Sequence, residues 1–489
     1  MNRSINLYIK SSLKRKMPHT SISPFRQYFG YGLLLGTMIF GISCDKVLDQ
    51  TPVVDVDESL AITDSRSAAV AVNGLYNELQ NGSYYGRNFQ ICSDVSSDIA
   101  QSVGTWDFYR EMDTYQVTSG NTEVGNMYYR GYRAINQANN VIAKVPELAD
   151  VSAANKNLYI GQAYFIRGLA FFDLNRLFGG VPGVVGTLGL PIVLTPSVKI
   201  DESAFPTRPS LQDAYNQVEQ DLLKALELLP ETNGDNRSQA VKGTARALLS
   251  RYYMYVKKFD QTLSYSSLVI ADSKYILNPS FSAIFENKLT TESIFELNFN
   301  ASDLSNIRNW YFPSANGGRG DLAVHLNYYN DAIADPKDSR GKLFGFDNTS
   351  KIYYPTKYKL AGNLDNIHVI RISEMYLNRA EAKAQLNDLP GALTDLNRVH
   401  TRAGCDPLVV AGQPALLAAI LQERKLEFAE EGHRFFDLVR TGNALAKLTA
   451  IDRKNGPNVA LTAAGRQVFP IPSFEINSNK NTVQNDAYK

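Results

Sequence analysis

Residues 423–440 read ERKLEFAEEGHRFFDLVR. Glu423, Glu427 and Glu431 recur every four residues, so they share one face of a helix expected over 413–431. Arg424, Arg434, Asp437 and Arg440 flank them, and Phe428, Phe435 and Phe436 interleave with the charges. Two carboxylates from this set could serve as the acid and base of a glycoside hydrolase. Rings set among the charges suit a packed interface better than an open cleft. The expectation is therefore an ion-pair network in which bidentate Arg–carboxylate bonds lock this helix to its neighbours. Arg371, Glu374 and Glu381 are read as the same class.

The chain around this stretch follows a 3.6-residue period. Residues 65–81 place Ala68, Ala69, Val72, Leu75, Tyr76 and Leu79 on one face. Helices are expected over 125–145, 152–178, 210–229, 238–257, 259–272, 371–386 and 389–403. Ser210 is an N-cap candidate, Pro230 closes that helix, and Pro390 suits a first turn. Two helix pairs share a pattern: Ser250 lies nine residues before Phe259 and twelve before Thr262, as Ala380 does before Leu389 and Ala392. Small residues at that separation let paired helices pack closely, which resembles the tetratricopeptide hairpin. The fold class expected is mostly α, a tetratricopeptide-like helix-pair scaffold with long loop-rich excursions and a little β. The excursions are residues 82–122, holding Gly, Ser, Tyr and Trp106, and 288–370, rich in Gly, Asn, Asp and Tyr beyond its first strand and without a helical period. Within the second, TESIFELNFN (291–300) alternates like a strand.

Composition excludes several classes. Among 489 residues, 44% are apolar and 20% charged, which is globular and not disordered. The net charge of +1 hides an asymmetry, because residues 1–43 hold six Lys and Arg and no acid. Without them, 44 basic residues face 49 acidic ones, a charge of −5. Such a body argues against nucleic-acid binding, which needs a basic surface.

Residues 28–42 (YFGYGLLLGTMIFGI) form an apolar run behind a basic stretch. It is shorter than the ~20 residues a membrane-spanning helix needs and suits a secretory signal. It ends Gly41-Ile42-Ser43-Cys44, which resembles a bacterial lipobox, with Gly41 departing from the usual Leu. Residues 1–43 are read as a lipoprotein signal peptide, with Met1 or Met17 as its start. Cys44 is read as the lipidated residue whose acyl chains, palmitate among them, anchor the protein. Cys92 and Cys405 remain, either paired or as buried thiols.

The chain resembles the SusD/RagB family of outer-membrane nutrient-binding lipoproteins of Bacteroidetes, over essentially its whole length. The residues that carry this are Cys44-Asp45-Lys46-Val47-Leu48-Asp49-Gln50-Thr51-Pro52, Gln162–Ala170 running to Phe178-Gly179-Gly180-Val181-Pro182, and Arg371–Leu377 with Ala380-Glu381-Ala382. The opening stretch, 423–440, and the ending Phe469-Pro470-Ile471-Pro472 with Glu475-Ile476-Asn477 and Gln484-Asn485 complete it; Ala487 stands where Gly is common. The resemblance implies one SusD-like domain over 44–489 with ligand-binding loops at about 82–122 and 288–370. It implies a surface-exposed, lipid-anchored outer-membrane protein that binds a nutrient, usually a glycan, and delivers it to a SusC-type TonB-dependent barrel. It implies no catalysis and no cofactor. A lipid-anchored glycoside hydrolase and a helical-repeat adaptor are the rival readings.

Sugar capture needs flat rings beside polar groups. Trp106-Asp107-Phe108-Tyr109-Arg110, with Tyr84-Tyr85-Gly86-Arg87-Asn88 upstream, offers one such place; Asn309-Trp310-Tyr311-Phe312 offers another. Trp106, Tyr109, Trp310, Tyr311, Tyr84 and Arg87 are the candidate ligand-binding residues. His325, His368, His400 and His433 show no metal-ligand spacing. Asp331, Asp335 and Asp338 could hold Ca²⁺ but read better as a solvated turn, and no metal site is expected. Arg319-Gly320-Asp321 reads as a chance tripeptide.

Overall fold

The computed structural model describes residues 61–197, 205–234, 236–449, 451 and 460–489. The signal segment and Cys44 lie outside them. The first helix, α1 (Ser65–Gln80), starts where the Asp64 carboxylate accepts the Ser67 amide. In chain order follow α2 (Asn88–Val95), β1 (Ala100–Ser102), α3 (Asp107–Asp113), α4 (Thr122–Lys144) and α5 (Ala153–Leu174). Then come α6 (Leu211–Leu228), α7 (Lys242–Tyr255), α8 (Phe259–Ile270), β2 (Ser293–Leu297), α9 (Ile307–Tyr311) and β3 (Leu322–Val324). The remainder holds α10 (Leu326–Ile333), β4 (Phe344–Asp347), β5 (Ile352–Pro355), β6 (Ile367–Arg371), α11 (Ile372–Gln385), α12 (Leu389–Arg402), α13 (Gln413–Phe428) and α14 (Arg434–Arg440).

The long helices stack in sequence order: α1 on α4, α4 on α5, α5 on α6, α6 on α7, α7 on α8, α8 on α11, and α11 on both α12 and α13. Close approach needs small residues at the crossings. A Cβ on Gly131 would meet Leu174 at 2.7 Å, and one on Gly168 would meet Leu222 at 2.9 Å. Ser250, Thr262, Ala380 and Ala392 are all fully buried, with Phe259 and Leu389 half-buried at their corners. The helix-pair pattern in the sequence thus marks real hairpins. One apolar cluster runs from Ile62 to Ile471.

The elements differ from expectation in several places. Residues 288–370, expected without a helical period, hold α9 and α10. Residues 82–122 contain two helices, α2 and α3, where only an excursion was read. The helix expected from 238 begins at Lys242, because the Thr244 hydroxyl accepts the Val241 amide and holds that residue extended. The helix expected to 431 ends at Phe428: Ala429 is extended, and Glu430 (φ 61°) and Gly432 (φ 81°) turn left-handed.

That turn does not break the expected ion-pair network. The Arg371 guanidinium, buried to 1% exposure, reaches Glu292, Glu427 and Glu431, each at 2.8 Å. Arg402 joins Glu292 at 2.7 Å and also pairs with Glu427. Arg340 holds Glu423 at 2.6 Å, Arg424 holds Asp437 at 2.8 Å, and Arg440 holds Glu381 at 2.6 Å. Burial alone pushes the Glu427 carboxyl up, but Arg402, Arg371 and Arg340 outweigh it and hold the group well below the usual range. The carboxylates that suggested a hydrolase are therefore consumed in buried pairs. Cys92 and Cys405 are free and buried.

Candidate functional site

The two excursions meet. Strand β1 of the first pairs antiparallel with β3 of the second, matching Ala100 to Val324, Gln101 to Ala323 and Ser102 to Leu322. The pairing extends one turn further, as the amides of Val103 and Gly104 both donate to the Asp321 carbonyl at 2.8 and 2.9 Å. Gly104 is required there, since a Cβ would lie 2.2 Å from the Asp321 carboxylate. This stitch carries Trp106, at the N-terminus of α3, onto Trp310 of α9.

A four-ring cluster results. Trp106 stacks on Phe108 (5.3 Å, 28°) and meets Trp310 edge-on (6.4 Å, 63°); Trp310 in turn stands perpendicular to Tyr109 (5.0 Å, 88°). Two guanidiniums cap it. Arg87 lies 5.0 Å above the Trp310 ring, while Arg319 lies 4.7 Å from Trp310 and 5.2 Å from Trp106. Arg87 is fixed by Glu123 at 2.6 Å, and Arg319 by Asp321 at 2.6 Å. Trp106 is 43% exposed, and Phe108 is half-buried beside it.

The candidate residues separate by depth. Trp106 faces solvent, and the half-buried Arg87 lies near the rim. Trp310 is 6% exposed, and Tyr109, Tyr84 and Tyr311 are each 1%. The Tyr109 hydroxyl donates to Asn88 at 2.7 Å, that of Tyr84 to Asp173 at 2.8 Å, and that of Tyr311 to Asp94 at 3.0 Å. As direct ligand contacts these three tyrosines need correcting: each ring fills the core and each hydroxyl is committed to a buried acceptor. Tyr84 stands apart from the cluster, whereas Tyr109 supports it from below.

Arg319 and Phe108 were not among the candidates, yet both reach the cluster. The tripeptide read as chance is structural here, because Arg319 and Asp321 pair beside the two indoles. Its nearness in sequence to Trp310 was the available signal. The three aspartates go elsewhere: Asp331 pairs with Lys425 at 2.8 Å, Asp338 with Arg340 at 2.8 Å, and Asp335 accepts the Lys337 amide at 2.8 Å. Among the described residues, no group of three His, Cys, Asp or Glu side chains could hold a metal ion. Nor is any helix among them long and apolar enough to cross a membrane.

The fold is a stack of helix pairs whose two excursions bring the rings of α3 and α9 and two guanidiniums together. Two family models divide the chain between them. One, described as starch-binding and associating with the outer membrane, matches residues 46–254; the other, the SusD family, matches 298–488. A SusD-like protein (P2) of Formosa agariphila is 25% identical, with 90% of this chain and 95% of that protein covered. The starch-binding protein SusD of Bacteroides thetaiotaomicron is 36% identical over 126 residues, 25% of this chain and 22% of that one. The crystal structure of a putative sugar-binding protein from Bacteroides vulgatus superposes with a TM-score of 0.75 at 26% identity, covering 88% of this chain and all of its own. The chain belongs to the SusD/RagB family.

Proposed function

We propose that this protein captures an oligosaccharide at the Trp106 platform and passes it to a SusC-type TonB-dependent barrel in the outer membrane. The observation that carries the reading is the half-exposed Trp106 ring beside the Arg319–Asp321 pair. A pyranose C–H face packs on such a ring, and the polar rim of Arg319, Asp107 and Arg110 offers partners to hydroxyls. Trp310 and Tyr109 hold the ring in place from beneath, and Arg87 orders the Trp310 face. The starch- and sugar-binding descriptions of the relatives support a glycan as the ligand class. Lipidation of Cys44 would keep the protein at the membrane, in line with a family model described as associating with the outer membrane. No catalytic residue is proposed.

The test is a glycan array followed by calorimetry on the strongest hit, with Trp106→Ala alongside. Unchanged affinity in a folded variant would overturn the site. For the partner, the protein is pulled down from detergent-solubilised outer membranes. A stoichiometric TonB-dependent barrel in the eluate supports delivery; recovery of the protein alone argues against it.

A further inference from the structure

Away from the Trp106 platform, a groove of about 560 Å³ opens among the helical hairpins. That volume lies in the ~300–1,000 Å³ range of sites that enclose a ligand. Its walls are the α7–α8 turn, α11, α13, and the segment from α14 to the short helix Ala444–Leu448. None of the rings or guanidiniums of the platform lines it, so the groove is independent of the glycan reading.

Its chemistry differs from that of the platform. Phe259 is the one aromatic ring in the lining, and it is half-buried, so a sugar has no open flat surface to stack on. The apolar part is made by Met254, Leu417 and Leu421, which suit the branched side chains of a peptide. The side-chain amide of Gln385 lines it and can meet main-chain groups, while those of Gln422 and Asn443 donate to Asp331 at 3.0 Å and Thr441 at 2.9 Å and offer mainly their oxygens. The charge is one-sided: Lys257, Arg434, Arg440 and Lys447 line the groove against the single acid Glu381. Asp98 pairs with Arg434 and Glu381 with Arg440, each within 2.7 Å, so those charges are met. Lys257 and Lys447 are exposed and pair with no acid among the described residues. The chain reverses at Lys257 in a left-handed conformation (φ 56°).

We propose that this groove docks an acidic, leucine-containing extended segment of a partner protein, with Lys257 and Lys447 reading its carboxylates. Unmet positive charge beside apolar walls favours a ligand that carries both features, and rim charges of this kind set selectivity and association rate.

The probe is a fluorescein-labelled hexapeptide of alternating Glu and Leu, followed by anisotropy with the full-length mature protein. Expected are saturable binding, weakening with added salt, and a loss of roughly tenfold in Lys257→Glu/Lys447→Glu. Both lysines are exposed, so that variant should melt with the parent; Lys447→Ala alone, expected to lose less, is the check if it does not. Trp106→Ala should bind the peptide unchanged, which separates this inference from the glycan reading. Absence of saturable binding, equal binding of the Gln/Leu peptide, or indifference to the lysine variants overturns the proposal. Full displacement by free glutamate would mark a small-anion site and overturns it too.

Discussion

The indoles of Trp106 and Trp310 lie edge to face with centroids 6.4 Å apart, although they come from opposite halves of the chain. The first is 43% exposed and the second 6%. That difference separates a contact from its support. Trp106→Ala should lower glycan affinity by about 1–2 kcal/mol, on the order of tenfold, and leave the melting temperature almost unchanged. Trp310→Ala should remove a buried ring at a cost of about 3–5 kcal/mol of stability and weaken binding as a consequence. Calorimetry and thermal unfolding on both variants check the division.

Arg319 sits over both indoles and is oriented by Asp321. Arg319→Ala should weaken binding severalfold. Arg319→Lys should not restore it, because an ammonium lacks the planar fork that stacks and pairs at once. Affinities of the two variants for the same array hit decide this.

Arg371 meets three buried carboxylates. Arg371→Met leaves Glu292, Glu427 and Glu431 with fewer partners and should cost about 3–5 kcal/mol. Denaturant unfolding would show the midpoint falling while the slope is kept.

Two sets of carboxyls oppose each other in pH. Glu423, Glu427, Glu431 and Asp437 are held below their ordinary values by buried arginines, against the upward push of burial. Their stabilisation is present above pH ~4.5 and is lost as pH falls through the lowered values. Glu430 is pushed up to about 7 by burial and by the neighbouring Glu431, with Lys357 only partly offsetting. Between pH ~4.5 and ~7 the folded state keeps a proton that the unfolded chain releases, so stability falls as pH rises through that window. The melting temperature should peak on the acid side of neutrality. Glu430→Gln should make the alkaline limb shallower, the rest of it belonging to Asp94 and Asp365, which burial also raises, and leave the acid limb in place; an unchanged profile would refute the assignment.

Cys44→Ser should move the protein from the membrane fraction to the soluble fraction, since the acyl chains are its expected anchor. Fractionation and immunoblotting read this directly.

The helical frame was legible because its signals are local. Periodicity, the Ser210 cap and the small-residue spacing around Ser250 and Ala380 each act within a few turns of chain, and the helices appear where those signals lie. The role of the 423–440 stretch was also legible, since rings placed between charges imply burial. The helix end at Phe428 was not. Nothing in AEEG marks Ala429 as the break, and the left-handed Glu430 is held by tertiary bonds, with Tyr358 donating to its carbonyl at 3.2 Å and Lys357 to that of Ala429 at 2.5 Å.

The sequence by itself determined a helical scaffold, its hairpins, the buried ion pairs and two aromatic stretches suited to binding. Only the tertiary structure decided that those stretches form one place, that Trp106 is its open ring, and that Tyr84, Tyr109 and Tyr311 belong to the core. The reason is the β1–β3 pairing, a contact between distant segments whose main-chain hydrogen bonds carry no side-chain signature. Burial of Tyr109 and Tyr311 follows from that pairing, because each meets a residue of the other excursion, Trp310 and Asp94, whereas Tyr84 is buried by its own segment and by Asp173 of α5.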